Sequence, residues 1–190
     1  MDPRAGLLGW LDSVRYREIY RQTLGLLLVL FCALLVQPGH ERVIVGFVTA
    51  SAGQLFRVYA AGTIFKNREL ATTGAYALVR HPLYLGNVLI LGGFALASAN
   101  AWLVAGIVLF FLIWYPAAIA YEDFKLERKF GEHWRAWSEG SNAILPRRFP
   151  WRDLAGAQWS ARQALLRNGE LWITVYLLAC AVWLWGRAHG

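Results

Sequence analysis

The stretch LYLGNVLILGGFALASANAWLVAGIVLFFLIWYPAAIAY, residues 83–121, decides the fold. It holds two apolar runs, Leu83–Ala99 and Trp102–Tyr121, separated only by Ala99-Asn100-Ala101. A membrane-spanning helix needs about 20 mostly apolar residues. Two such runs joined by so tight a turn predict a helical hairpin that crosses a bilayer and returns. Ile19–Val36 is a further candidate span, preceded by Arg15, Arg17 and Arg21 and closed by the breaker Gln37-Pro38-Gly39. Val43–Ala61 is another, interrupted by Gln54 and Arg57, and Leu171–Trp185 is the last. The expected fold is an all-α integral membrane protein. It has about five transmembrane helices, including the hairpin, plus cytoplasmic interfacial helices, in a single membrane domain over 1–190.

Composition agrees. The chain has 190 residues, 57% hydrophobic and 16% charged, with a mean hydropathy of +0.38. An average soluble domain is ~45–50% apolar and ~25% charged. Disorder, coiled coils and fibres are excluded, and an ordinary soluble enzyme would lack polar side chains to cover its surface. Ten Trp, ten Phe and eight Tyr suit a protein with two membrane interfaces, where aromatic rings collect. The net charge of +7 points to anionic lipid and not to nucleic acid, because the basic residues sit between apolar runs. Cys32 and Cys180 lie inside apolar segments and form no CxxC, so they read as buried inert thiols. His40, His133 and His189 are scattered, and no metal site is expected.

With five spans, the basic residues fall on one side. Arg4, Arg15, Arg17 and Arg21 precede the first span, Lys66, Arg68 and Arg80 lie between the second and third, and nine more lie between Lys125 and Arg167. Only Arg42 and Arg187 fall on the other side. The positive-inside rule places the N-terminus and this charged face in the cytoplasm and the C-terminus outside. On the charged face, residues 62–82 read as an irregular loop. Residues 122–139 read as an amphipathic helix, with Leu126, Phe130, Trp134 and Trp137 on one side. Residues 151–168 read as a second interfacial helix.

Three polar groups converge on that face. Arg80, His81 and Tyr84 flank Pro82, which suits the first turn of a new helix, and a helix start favours an anion. Glu122 and Asp123 follow directly after an apolar span, and one of them suits a cation or a ribose hydroxyl pair. Arg57, with Gln54, lies inside a span, where an unpaired charge costs several kcal/mol or about that. Its expected partner is Glu122 or Asp123. The bland reading is a snorkelling arginine, an interfacial tyrosine and ordinary helix-end acids. No GxSxG, HExxH or P-loop competes. The Gly92-Gly93 pair reads as a close helix contact.

The run RVYAAGTIFKNRELATTGAYALVRHPLYLGN at 57–87, then EDFKLERKFGEHWRAW at 122–137 and Leu145-Pro146, resembles the isoprenylcysteine carboxyl methyltransferase family, which is itself related to membrane phospholipid N-methyltransferases. The family pattern is G-x-Y, RHPxY-x-G, a hairpin, EE-x-x-L-x-x-x-FG-x-x-Y-x-x-Y and a proline. The resemblance implies a membrane methyltransferase with a catalytic core at 57–146 and an additional C-terminal helix at 169–188. It would carry a methyl group from S-adenosylmethionine to a lipophilic acceptor, carboxylate or amine, at the cytoplasmic face. The acceptor and membrane lipids are the expected partners. Cofactor contacts carried over by position are Arg68, Glu69, Leu70, Ala71, Tyr76, His81, Pro82, Leu83, Tyr84 and Glu122. The catalytic candidates are Arg57 and Arg80 as cations for a carboxylate, and Glu122 and Asp123 as carboxylates for an amine. This chain departs from the pattern at Asp123, at Trp134 and Trp137 in place of tyrosines, and at Ala118, where prenylcysteine methyltransferases carry a substrate-binding arginine. A non-catalytic lipid-binding or assembly protein of the same fold is the competing reading. A small transporter would need polar residues lining several spans, and these are missing.

Overall fold

The structure, a computed structural model, describes residues 18–35, 40–64 and 69–189. Arg4, Arg15, Arg17, the Gln37-Pro38-Gly39 breaker, Lys66, Arg68 and Gly190 of the sequence reading lie outside the described residues. The described chain is all helix and loop, without a strand. Its helices are α1 (Glu18–Leu34), α2 (His40–Thr63), α3 (Ala75–Leu78), α4 (Pro82–Ser98), α5 (Ala101–Phe130), α6 (Glu132–Glu139), α7 (Trp151–Ala155) and α8 (Glu170–His189). Three of them, over Glu41–Thr63, Ala101–Phe130 and Glu170–Ala188, are long and apolar enough to cross a membrane. Ile19–Leu34 and Pro82–Ser98 are shorter apolar helices. Large apolar side chains such as Leu55, Trp102, Leu112 and Val182 point outward, as a hydrocarbon solvent allows.

The hairpin forms as the turn chemistry requires. Ala99 takes the left-handed conformation at φ 51° and closes α4, its N–H donating to Ala95 O. Asn100 caps α5, its side-chain oxygen accepting from the Trp102 and Leu103 amides at 3.0 and 3.2 Å. Pro116 sits inside α5 without ending it.

The α2–α4 pair forms the tightest seam. A Cβ at Gly46 would lie 2.5 Å from the Gly93 carbonyl oxygen, and one at Gly53 would lie 2.8 Å from the Gly86 oxygen. Both backbones therefore touch through small residues, the membrane solution to helix packing. Of the expected glycine pair, only Gly93 is in this seam. A Cβ at Gly92 would meet nothing within 4 Å.

The interfacial elements differ from their sequence reading. Residues 122–139 are not one helix. The span continues straight through Glu122 to Phe130, and Gly131 (φ 54°) breaks the chain before α6. The expected sidedness survives, because Leu126, Phe130, Trp134 and Trp137 are all partly buried while Lys125, Arg128, Lys129, Glu132 and Arg135 are exposed. Residues 151–168 are not one helix either. α7 stops at Gly156, and a second turn at Gln163–Arg167 follows an extended stretch. The reason lies in α2, whose last carbonyls lack helical partners. Residues 159–168 supply partners to two of them and to the carbonyls on either side. Trp159 Nε1 donates to Val58 O, Asn168 Nδ2 to Ala61 O, the Ser160 amide to Gly62 O and Gln163 Nε2 to Ile64 O.

Candidate functional site

The RHP turn is built from three directions. Pro82 stands at the first position of α4, where its missing N–H costs nothing. The backbone amides of Arg80 and His81 donate to the Asn142 and Ala143 carbonyls at 2.9 Å, so the chain after α6 clamps the turn. Asp123 on α5 then binds both side chains. Arg80 Nη2 lies 3.1 Å from Oδ2 and His81 Nε2 lies 2.8 Å from Oδ1. Arg80 Nη1 also donates to the Ser138 and Ser141 carbonyls. Asp123 thus ties Arg80 and His81 together, while Arg80 Nε is buried without a hydrogen-bond partner among the described residues.

Glu122 stands beside this pair and has no ion-pair partner among the described residues. Its charge acts on Tyr76, which is buried on α3. Burial pushes the Tyr76 phenol up, and the Glu122 carboxylate pushes it the same way. Tyr76 therefore stays a neutral donor. It packs in a small cluster with Ala71 and Leu83. His81 stacks on Tyr84 at 5.4 Å between ring centroids, and Tyr84 meets Tyr115 edge-on at 5.2 Å.

Arg57 has a different partner from the one expected. Glu170, at the start of α8, binds it in a fork, with Nη2 to Oε1 at 2.6 Å and Nε to Oε2 at 3.2 Å. Asn87 Oδ1 accepts from Arg57 Nη1, and Gln54 Nε2 donates to Glu170 Oε2 at 3.2 Å and to Thr174 Oγ1 at 2.7 Å. Arg57 is one turn after Gln54 on the face of α2 that meets α4 and α8, whereas Glu122 and Asp123 flank the RHP turn. Glu170 was not singled out in the sequence, where it directly precedes the last apolar run, Leu171–Trp185. Arg21 was read as a flanking charge, yet it is buried, with its guanidinium 4.6 Å over the Tyr84 ring.

Two cavities are lined in part by the segment Tyr76–Tyr84, one through Ala77 and the other through Leu83 and Tyr84. One, of about 270 Å³, is lined by Thr72, Thr73, Ala77, Trp137, Ser141 and Asp153 among others. The other, of about 130 Å³, lies among α1, α2, α4, α5 and α8. Its polar lining is Arg21, Gln22, Arg57, Tyr84, Asn87 and Tyr115, and the rest is apolar. Of the sequence-predicted residues, Ala71, Tyr76, His81, Pro82, Leu83, Tyr84, Glu122 and Asp123 gather around this segment. Glu69 and Leu70 precede it on the chain, and Ala118 is buried one turn beyond Tyr115 on α5. Among the described residues no group of three His, Cys, Asp or Glu could hold a metal.

Comparison with known proteins places the chain in a family. The nickel-cobalt-cadmium resistance protein NccN of Alcaligenes xylosoxydans xylosoxydans is 36% identical over 103 residues, covering 54% of this chain and 47% of that protein. The cobalt-zinc-cadmium resistance protein CzcN of Cupriavidus metallidurans is 35% identical over 103 residues, covering 54% of this chain and 46% of that protein. The chain thus matches about half the length of these curated relatives. No solved structure matches. Residues 20–133, which run from α1 through the hairpin and the RHP turn to the start of α6, match the family model described as phospholipid methyltransferase, and the chain belongs to that family.

Proposed function

We propose that the protein is an integral membrane methyltransferase that uses S-adenosylmethionine and acts on a lipophilic acceptor at the cytoplasmic face. One observation carries the reading. The segment Tyr76–Tyr84 borders a polar cavity through Ala77 and a largely apolar cavity through Leu83 and Tyr84. A polar donor and an apolar acceptor need such a shared wall.

The residues present fit the donor. Its amino-acid end offers an ammonium and a carboxylate. Glu122 is a carboxylate without an ion-pair partner among the described residues, and Arg80 Nε is a buried donor with no hydrogen-bond partner there. Trp137, Thr72, Thr73 and Asp153 supply a ring and oxygens of the kind an adenosine needs. We assign donor binding to Glu69, Leu70, Ala71, Tyr76, His81, Pro82, Leu83, Tyr84 and Glu122. When bound, the donor supplies a methyl group on a positively charged sulfur. The protein's own part is alignment and exclusion of water, and positioning alone is worth about 7–11 kcal/mol in favourable cases. His81 is held by Asp123 and stacked on Tyr84, so both rings are fixed before substrate arrives. Transfer breaks the sulfur–methyl bond and forms an oxygen–methyl or nitrogen–methyl bond.

In this reading α1, α2, α4, α5 and α8 all cross the bilayer, with the N-terminus and site inside and the C-terminus outside. The shorter α1 and α4, at 17 residues each, lie at the low end of the ~17–25 residues that span. Arg21 lines the apolar cavity with no carboxylate beside it among the described residues, which disfavours a divalent cation there. In this reading, a share in metal resistance, the role in the names of both relatives, would work through the methylated product. Titration calorimetry of purified protein with S-adenosylmethionine tests the reading. Saturable binding that weakens in His81→Ala and Tyr84→Phe is expected, and no binding to wild type would refute it.

A further inference from the structure

Arg21 is only 7% exposed and lines the cavity between the apolar helices. Arg57, the second guanidinium there, is matched by Glu170. Arg21 has no carboxylate partner among the described residues, and its guanidinium instead lies over the face of Tyr84. A buried charge without a counter-charge is costly, and a cation–π contact offsets only part of that cost. No carboxylate lines this cavity, so its field is positive. Its remaining walls, Val29, Leu91, Phe110 and Leu177 among them, are apolar. The space of about 130 Å³ equals roughly four waters, so it takes a head group and not a whole lipid.

We propose that Arg21 is the anchor for an anionic oxygen group, carboxylate or phosphodiester, carried by a lipid-soluble acceptor. Tyr84 touches both that anchor and His81, so the anion is held next to the donor-binding turn. The first helix thus supplies the one guanidinium in this cavity that no carboxylate matches among the described residues. The assignment rests on the methyltransferase reading for its meaning but not for its test.

The test is equilibrium binding to purified wild-type protein in detergent. One arm compares palmitate with methyl palmitate. The other compares phosphatidylethanolamine with diacylglycerol. A preference of tenfold or more for the charged member is expected in at least one arm, and the arm that shows it identifies the anion. Arg21→Gln should abolish that preference, Arg21→Lys should keep part of it, and affinity for S-adenosylmethionine should change less than threefold. Arg21→Met should melt at the same temperature as wild type or higher, because it removes a charge kept for binding. Equal binding of charged and neutral probes by wild type, or an unchanged preference in Arg21→Gln, would overturn the proposal. So would a lower melting temperature for Arg21→Met with the preference intact, which would make Arg21 a structural clamp on Tyr84. If S-adenosylmethionine fails to bind while the Arg21-dependent preference persists, the anion site stands and the methyltransferase reading falls.

Discussion

Arg57 on α2 and Glu170 on α8 are 113 residues apart in the chain and meet in a buried fork at 2.6 and 3.2 Å. The pair ties the last helix, which lies beyond the 20–133 family match, to the helix that runs into the site. Removing one partner of a buried pair leaves a bare charge and costs about 3–5 kcal/mol. Glu170→Ala should therefore destabilise by about that much, and Glu170→Gln by less. Arg57→Met combined with Glu170→Leu should recover most of the loss. Thermal melts of the four proteins in one detergent check this, and a double variant no more stable than Glu170→Ala would contradict it.

Asp123 holds both Arg80 and His81, and hydrogen bonds to charged groups are worth about 1.5–3 kcal/mol. Asp123→Asn should weaken donor binding about ten- to a hundredfold without touching the donor. Asp123→Ala should weaken it at least as much. The dissociation constant measured by calorimetry decides.

The two adjacent glycines of α4 should behave differently. A Cβ at Gly93 would clash with the Gly46 carbonyl and lie 2.6 Å from the Ala50 amide, and backbone cannot swing aside. Gly93→Ala should cost about 1–3 kcal/mol as overpacking. Gly92→Ala meets open space and should be neutral or stabilising, since it removes a flexible residue from a helix. Paired melts give the answer.

Ala118 is 2% exposed and packed in the core. Ala118→Arg puts a charge into a filled position. It should lower the melting temperature and give at most a modest gain on a prenylcysteine analogue. A large gain in turnover at wild-type stability would contradict the placement of the anion anchor on Arg21.

The parts legible in sequence were those that depend on neighbours along the chain. The hairpin follows from two apolar runs and a capping asparagine. The RHP turn follows from Pro82, which can only begin α4. The sidedness of Leu126, Phe130, Trp134 and Trp137 also follows from local spacing, and it survives the break at Gly131. The parts that were missed depend on which helices touch. The partner of Arg57 had two local candidates at a plausible depth, but α8 packs against α2 and brings Glu170 instead. The burial of Arg21 required α1 to lie over Tyr84, and nothing in a run of leucines records that. The single interfacial helix at 151–168 failed because α2 needed its terminal carbonyls bonded, a demand made by another segment.

The central claim is methyl transfer, and its most direct measurement uses S-adenosylmethionine labelled in the methyl group. Purified wild-type protein, total membrane lipid extract and labelled donor are incubated, and the lipid phase is counted and the product identified. Wild type should move label into a lipid-phase product, Glu122→Gln should need a higher donor concentration for every acceptor, and His81→Ala should lose at least tenfold at subsaturating donor. A lipid phase that stays unlabelled across extracts, from protein that is folded and saturated with donor, would contradict the account.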